Sequence, residues 1–187
     1  MKIDKENLAM ARQAFTNAAF SHKVQEVAAE RKEKRIVAFK ILNICVIAAV
    51  LFLFLLQTII DSSPVLAYIG AGLTVSEIVL LISQLTFGIE REVMAHKNSA
   101  LKYMSLRDRY KSFLADMIRG VLGENELTGM RDNLLSEYQM ISDLSIQTSD
   151  VDYNNAMKKL KLVANDQNVW SDKQIDSLLP KELRIAK

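Results

Sequence analysis

The stretch ILNICVIAAVLFLFLLQTII, residues 41–60, decides the fold: it runs for 20 residues without a charged side chain. At about 1.5 Å per residue, an α-helix of that length is roughly 30 Å long, the thickness of a bilayer's hydrocarbon core. It predicts a transmembrane helix. Only Asp61-Ser62-Ser63-Pro64 separates it from a second apolar stretch, VLAYIGAGLTVSEIVLLISQLTFGI at 65–89, whose 25 residues hold a single ionisable group, Glu77. A buried helix of a soluble protein is seldom so long and so apolar. The two stretches together predict a membrane hairpin with a carboxyl group near its midplane.

Orientation follows from the basic residues outside the hairpin. Arg31, Lys32, Lys34, Arg35 and Lys40 precede the first span, Arg91, Lys97, Lys102, Arg107 and Arg109 follow the second, and the connecting loop has neither Lys nor Arg. The positive-inside tendency then puts both termini in the cytoplasm. The first forty residues are charged and helical in character, so the first span is expected to stay as a signal anchor rather than to be removed with a signal peptide. A net charge of +2 with 25% charged residues resembles a soluble protein, because the charges lie outside the hairpin and the average hides two phases. The one cysteine, Cys45, lies inside the first span, which excludes an intrachain disulfide. His22 and His96 are the only histidines, so no metal site and no cofactor is expected.

Working outward, residues 4–40 lack Gly and Pro, and Leu8, Ala11, Phe15, Ala18 and His22 recur at three- and four-residue steps. This pattern predicts an amphipathic helix and leaves open whether it runs straight into the first span. Beyond the second span, His96, Ala100, Tyr103, Leu106, Tyr110, Phe113 and Met117 form a heptad-like stripe on a helix free of Gly and Pro from Glu90 to Arg119. The two helices are expected to pack on each other. Gly120, Gly123 and Gly129 mark a turn region, followed by helices from about Leu127 or Met130 to Ile146 and from about Val151 to Ala164. Ser171-Asp172-Lys173-Gln174 fits a capping box, Trp170 and Ile175 occupy the positions of a hydrophobic staple, and Pro180 ends that last helix. No segment alternates with period two, so the fold class is all-α: a cytoplasmic helix over 1–40, a transmembrane hairpin over 41–89 (spans 41–60 and 65–89), and a helical cytoplasmic region over 90–187.

Glu77 is the first candidate for function. An ionised carboxylate at the bilayer centre is disfavoured by about 2.5 to 3.5 kcal/mol on insertion scales, so it should face a protein interior or water. Gly70, Thr74, Glu77, Leu81, Gln84 and Gly88 follow at steps of four and three and form one polar or small stripe on a helix otherwise rich in Leu, Ile and Val. Two readings stand: a pore-lining stripe, or a hydrogen-bonded glutamate that holds helices together through Asn43 or Gln57. Two helices cannot surround a water path, so a pore requires a homo-oligomer, with a tetramer as the favoured assembly. Its Glu77 ring would favour cations, while Leu81 and similar side chains would close it by dewetting.

His96, Ala100, Tyr103 and Leu106 share one helix face just below the membrane, as a packing seam or as the joint that transmits a cytoplasmic event to the pore. Arg107, Arg109 and Lys111, and Lys158, Lys159 and Lys161, form two basic groups farther along. Their ordinary reading is as solvated helix faces; the alternative is contact with an anionic, phosphate-bearing ligand. Neither a P-loop nor a G-x-G-x-x-G occurs, so the chain is not expected to be an enzyme that makes or hydrolyses nucleotides. Intramembrane acid–base catalysis has the least support, because no Asp, His, Lys or Arg lies at the depth of Glu77.

The short-looped hairpin followed by Ala95-His96-x-x-x-Ala100-x-x-Tyr103-x-x-Leu106-Arg107 resembles the SLATT family of bacterial two-transmembrane effector domains. The resemblance covers most of the chain. It implies a pore-forming effector of an abortive-infection defence system in the bacterial inner membrane. It further implies gating, direct or indirect, by a nucleotide or oligonucleotide signal from a separately encoded nucleotidyltransferase partner. The alternative is a membrane-anchored helical interaction or scaffold protein, supported by a cytoplasmic region larger than a bare channel requires.

Overall fold

The computed structural model of the chain describes residues 5–59, 64–163 and 169–185, apart from the side chains of 58 and 84–87. Six α-helices follow one another: α1 (Lys5–Ile59), α2 (Pro64–Phe87), α3 (Ile89–Arg119), α4 (Glu124–Leu144), α5 (Asp150–Leu160) and α6 (Asp172–Leu178), with a final 3-10 turn at Lys181–Leu183. No strand occurs among the described residues. The fold is all-α, and it contains the two long apolar helices that the hairpin reading requires.

Helix α1 is continuous over 55 residues, so no break in helical structure separates the amphipathic segment from the first span. Nothing in residues 5–59 breaks it, since neither Gly nor Pro occurs there. Pro64 opens α2, at the helical position where a missing N–H costs nothing. Gly88 separates α2 from α3 with φ +54°, a left-handed conformation that glycine adopts without penalty. The Gly88 carbonyl then accepts from Arg91 N at 2.8 Å to start α3. Helix α2 therefore ends at Phe87, and Ile89 opens α3.

Loop chemistry sets the other boundaries. Gly120, at φ +68°, closes α3 in a Schellman arrangement, with Gly120 N bonded to Met117 O at 3.1 Å and Val121 N to Asp116 O at 3.3 Å. Helix α4 begins at Glu124, earlier than periodicity predicts, because Glu126 reaches back to Gly123 N at 3.0 Å. Helix α5 stops at Leu160, with Lys161 left-handed at φ 55°, so the predicted extension to Val163 is too long; Ala164 lies outside the described residues. The expected capping box of α6 is present, with Ser171 N donating to Gln174 Oε1 at 3.0 Å.

The chain divides into two compact units, residues 1–29 with 94–187, and residues 30–93. In the first, Leu8, Phe15 and Ala18 of α1 meet Tyr103, Leu106, Tyr110 and Phe113 of α3, Leu134 and Ile141 of α4, and Ile175 of α6. Burial of each large apolar side chain contributes about 1.5 to 3 kcal/mol, which makes this cluster the main stabilising element of the unit. Arg12 is 1% exposed within it and donates to Asp176 Oδ1 at 2.8 Å and to Asp172 Oδ1 at 3.3 Å, tying α6 to α1. The second unit holds the spans, whose outward side chains, such as Phe52, Phe54, Ile59, Val79 and Ile82, are exposed and apolar. Such a surface suits acyl chains rather than water.

Candidate functional site

Within the hairpin, the shielded positions of α1 include Asn43, Val46, Val50, Leu53 and Gln57, and those of α2 include Leu66, Gly70, Leu73, Glu77, Leu80 and Ser83. Both sets step by three and four, the spacing of one helix face, and they define the seam of the hairpin. Glu77 is 7% exposed and Asn43 8%, whereas Ile44, Ile78 and Val79 beside them are open. Neither Glu77 carboxylate oxygen has a hydrogen-bond partner among the described residues, nor does Asn43 Oδ1. Counted back from the loop, Glu77 and Asn43 lie within about one helical turn of each other in depth. A buried acceptor left unsatisfied costs about 1 to 3 kcal/mol, and more if charged, so this seam holds a polar demand that it does not itself meet.

The stripe predicted on α2 is divided by that seam. Gly70 is half-buried and Glu77 buried, while Thr74 is exposed and Leu81 is exposed on the outer flank. Thr74 satisfies its hydroxyl internally, donating to Gly70 O at 2.9 Å. The side chain of Gln84 lies outside the described residues, and Gly88 belongs to the break between α2 and α3 rather than to the helix. Glu77 therefore sits where the seam and the outer flank meet.

In the other unit, α3 turns His96, Ala100, Tyr103 and Leu106 inward, with exposures of 0%, 7%, 4% and 0%. His96 Nδ1 lies 2.6 Å from Gln25 Oε1 of α1, and Gln25 Nε2 donates to Ile146 O at 3.2 Å. The second bond fixes the amide orientation: its nitrogen is used on Ile146, so its oxygen faces the imidazole and His96 donates from Nδ1. One side chain thus connects α1, α3 and the loop after α4. The Tyr103 ring lies 5.7 Å from that of Tyr138 at a tilt of 58°, and burial, opposed by hydrogen bonding from Ser142, pushes its phenol above the usual value. Burial pushes Tyr110 up to about 12, so both phenols remain neutral donors at physiological pH.

The basic groups are not assembled into one patch. Arg107 and Lys111 both pair with Asp108, at 3.0 and 2.7 Å, and Arg109 pairs with Glu137. Asp108 is held below the usual carboxylate range, first by its hydrogen bond to Lys111 and then by Arg107. Lys158 and Lys159 close α5, where cations favour a helix C-terminus, and Lys161 forms its left-handed cap. Among the described residues no three His, Cys, Asp or Glu side chains gather in a way that could hold a metal ion.

Two polar residues at the centre of this unit escape a reading of apolar periodicity. Arg12 falls four residues after Leu8 and Gln25 three after His22, so both continue the very stripe that Leu8, Ala11, Phe15 and His22 define. A polar residue in register with an apolar face, and an acid available elsewhere to meet it, is the signal that finds Arg12; Gln25 shows only the first half of it.

Fold and site together define a helical membrane protein with two long apolar helices and a separate helical unit. The family model described as SMODS and SLOG-associating 2TM effector domain family 4 matches residues 8–173, and the chain belongs to that family. No curated protein matches it, and no solved structure does. The chain is accordingly a membrane effector domain, and the name of its family associates it with the SMODS nucleotidyltransferases.

Proposed function

We propose that this protein is a homo-oligomeric, cation-favouring pore of the bacterial inner membrane that depolarises the cell in an abortive-infection response. Glu77 carries the reading: a buried carboxyl with two unpartnered oxygens, at the edge of a dry seam, is held away from water at an energetic cost. Opening the seam toward neighbouring copies hydrates it. The flank of Thr74 and Leu81 is available to line the path beside Glu77, with Gly70, Gln84 and Gly88 above and below; Leu81 closes it by dewetting. Four copies give the smallest comfortable ring. The cytoplasmic helices at 1–40 and 90–187 hold the assembly, with both termini cytoplasmic, and the spans lie at 41–89. A nucleotide or oligonucleotide from a separately encoded nucleotidyltransferase governs opening, and the His96, Ala100, Tyr103 and Leu106 seam passes that event to α2 through Gly88. The positive charges of Arg107, Arg109, Lys111, Lys158, Lys159 and Lys161 attract the anion over long range, although several are paired locally.

The test is membrane potential in cells that express the protein with its partner enzyme. Wild type depolarises, Glu77→Leu does not, and Glu77→Gln retains a reduced current. Equal depolarisation by Glu77→Leu removes Glu77 from the path. A second reading, a tethered scaffold, is favoured by the extensive core of the unit outside the spans. Toxicity that survives replacement of both spans by an unrelated hairpin selects it.

A further inference from the structure

We propose that the cleft between α1, α4 and the loop leading to α5 is a nucleobase-binding pocket, and that Gln25 reports its occupancy to His96. This deepens the nucleotide reading above and rests on it. The cleft has a volume of about 390 Å³, and none of the residues lining it is Lys, Arg, Asp or Glu. Its walls are aromatic and hydroxylic. Phe20 meets Tyr153 edge-on, with ring centroids 5.0 Å apart at 78°, and Tyr138 leans over Tyr103. The hydroxyls of Ser21 and Tyr138 lie 3.3 Å from each other, and Ser142 stands beside the Tyr103 phenol.

That lining matches one chemistry better than others. A free phosphate or a strongly charged ligand finds no counter-ion inside. A base, by contrast, is flat and uncharged: its faces suit Tyr153 and Tyr138, and its edge of mixed donors and acceptors suits hydroxyls, each of which can give or accept a hydrogen bond. The phosphates then remain at the mouth. Gln25 and Ile146, the two residues joined at 3.2 Å, both line the cleft, and the other end of that amide holds His96 at 2.6 Å. A ligand that draws on the Ile146 carbonyl or on the Gln25 amide therefore changes the hydrogen bond of His96 on α3.

Trp170, the sole tryptophan, provides a built-in reporter, because it packs on the pocket residue Phe20 with centroids 5.3 Å apart. The experiment uses the full chain in lipid nanodiscs, with equilibrium dialysis of the dinucleoside monophosphates ApA, CpC, GpG and UpU, ribose 5-phosphate as the base-free control, and Trp170 fluorescence read in parallel. The expected result is saturable binding of at least one dinucleotide, a change in Trp170 emission, and no binding of ribose 5-phosphate. Filling the cleft with Ser142→Phe should weaken that binding at least tenfold, and Tyr153→Leu should weaken it severalfold, each at an unchanged melting temperature. Gln25→Leu should bind but lose the ligand-dependent change in the His96 ring resonances. Dinucleotide binding that persists in Ser142→Phe overturns the pocket and leaves the nucleotide reading standing. Equal binding of ribose 5-phosphate overturns base recognition. If no dinucleotide binds, the pocket assignment fails, while the nucleotide reading is decided separately by whether depolarisation requires an active partner enzyme.

Discussion

Arg12, His96 Nδ1 and Asp152 outside the spans are treated in the opposite way to Glu77 and Asn43 between them. Outside the spans, Arg12 is closed by Asp176 and Asp172, His96 Nδ1 by Gln25, and Asp152 by the Ser149 hydroxyl at 2.8 Å. Between the spans, Glu77 and Asn43 are equally buried, yet three of their oxygens have no partner among the described residues. Satisfied polar groups fix one arrangement of a core. Unsatisfied ones, in a medium that supplies no water, favour any rearrangement that hydrates them. The contrast assigns structure to one set and motion to the other, and it breaks if either set behaves like its counterpart.

The largest effect is expected where a satisfied group is stripped of its partner. Arg12→Leu leaves Asp176 buried beside an apolar side chain and should destabilise the unit by about 3 to 5 kcal/mol. The double variant Arg12→Leu/Asp176→Leu should recover most of that loss, since removing both ends of a buried pair is often nearly neutral. Denaturant melts of the four proteins in the cycle, followed by Trp170 fluorescence, measure the coupling; simple additivity would show that the pair is not a unit.

Next comes the seam. Glu77→Leu replaces an unpartnered carboxyl by a side chain at home among Val46, Val50 and Leu73, and should stabilise the closed hairpin by about 1 to 3 kcal/mol while abolishing conduction. Thermal unfolding in nanodiscs, set against the potential measurements, checks both. A destabilised Glu77→Leu would mean that the carboxyl is already satisfied, and the contrast between the units would disappear.

Ser149→Ala should cost about 1 kcal/mol, the usual worth of an N-cap, because it removes the oxygen that accepts from Asp152 N and the partner of the Asp152 carboxylate. Amide exchange in the first turn of α5 should rise with it. Uniform exchange in both proteins would show that α5 is held by the packing of Ala156 and Met157 instead.

What the sequence made readable follows the same division. The spans were legible because length and lack of charge are sufficient to recognise them, and α6 because Ser171 and Gln174 form a cap within four residues. The direction Glu77 faces was not legible. The stripe Gly70, Thr74, Glu77, Leu81 and the seam Leu66, Gly70, Leu73, Glu77, Leu80 share two members, so periodicity alone does not say which set meets α1. Gln25 was missed for a related reason: its role depends on His96, 71 positions away, and on a backbone carbonyl that no residue identity reveals. The early start of α4 was hidden by the glycines around it, since Gly123 serves as its N-cap rather than as a break.

The smallest effect concerns pH and turns on a half-buried histidine of the unit outside the spans. His22 lies half-buried on α1, and its pKa is lowered from 6.5 by burial first and by the nearby Arg107 second. A histidine whose folded pKa lies below its unfolded value binds fewer protons when folded, so its contribution is fully favourable above about pH 6.5 and is lost as pH falls toward the folded value. The melting temperature should therefore decline modestly between pH 7.5 and 5.5. His22→Gln should flatten that part of the profile, and Arg107→Gln should do so in lesser degree, because burial and not charge is the larger cause. A profile unchanged by His22→Gln assigns the decline to another group and leaves the α1 face around His22 without an electrostatic role.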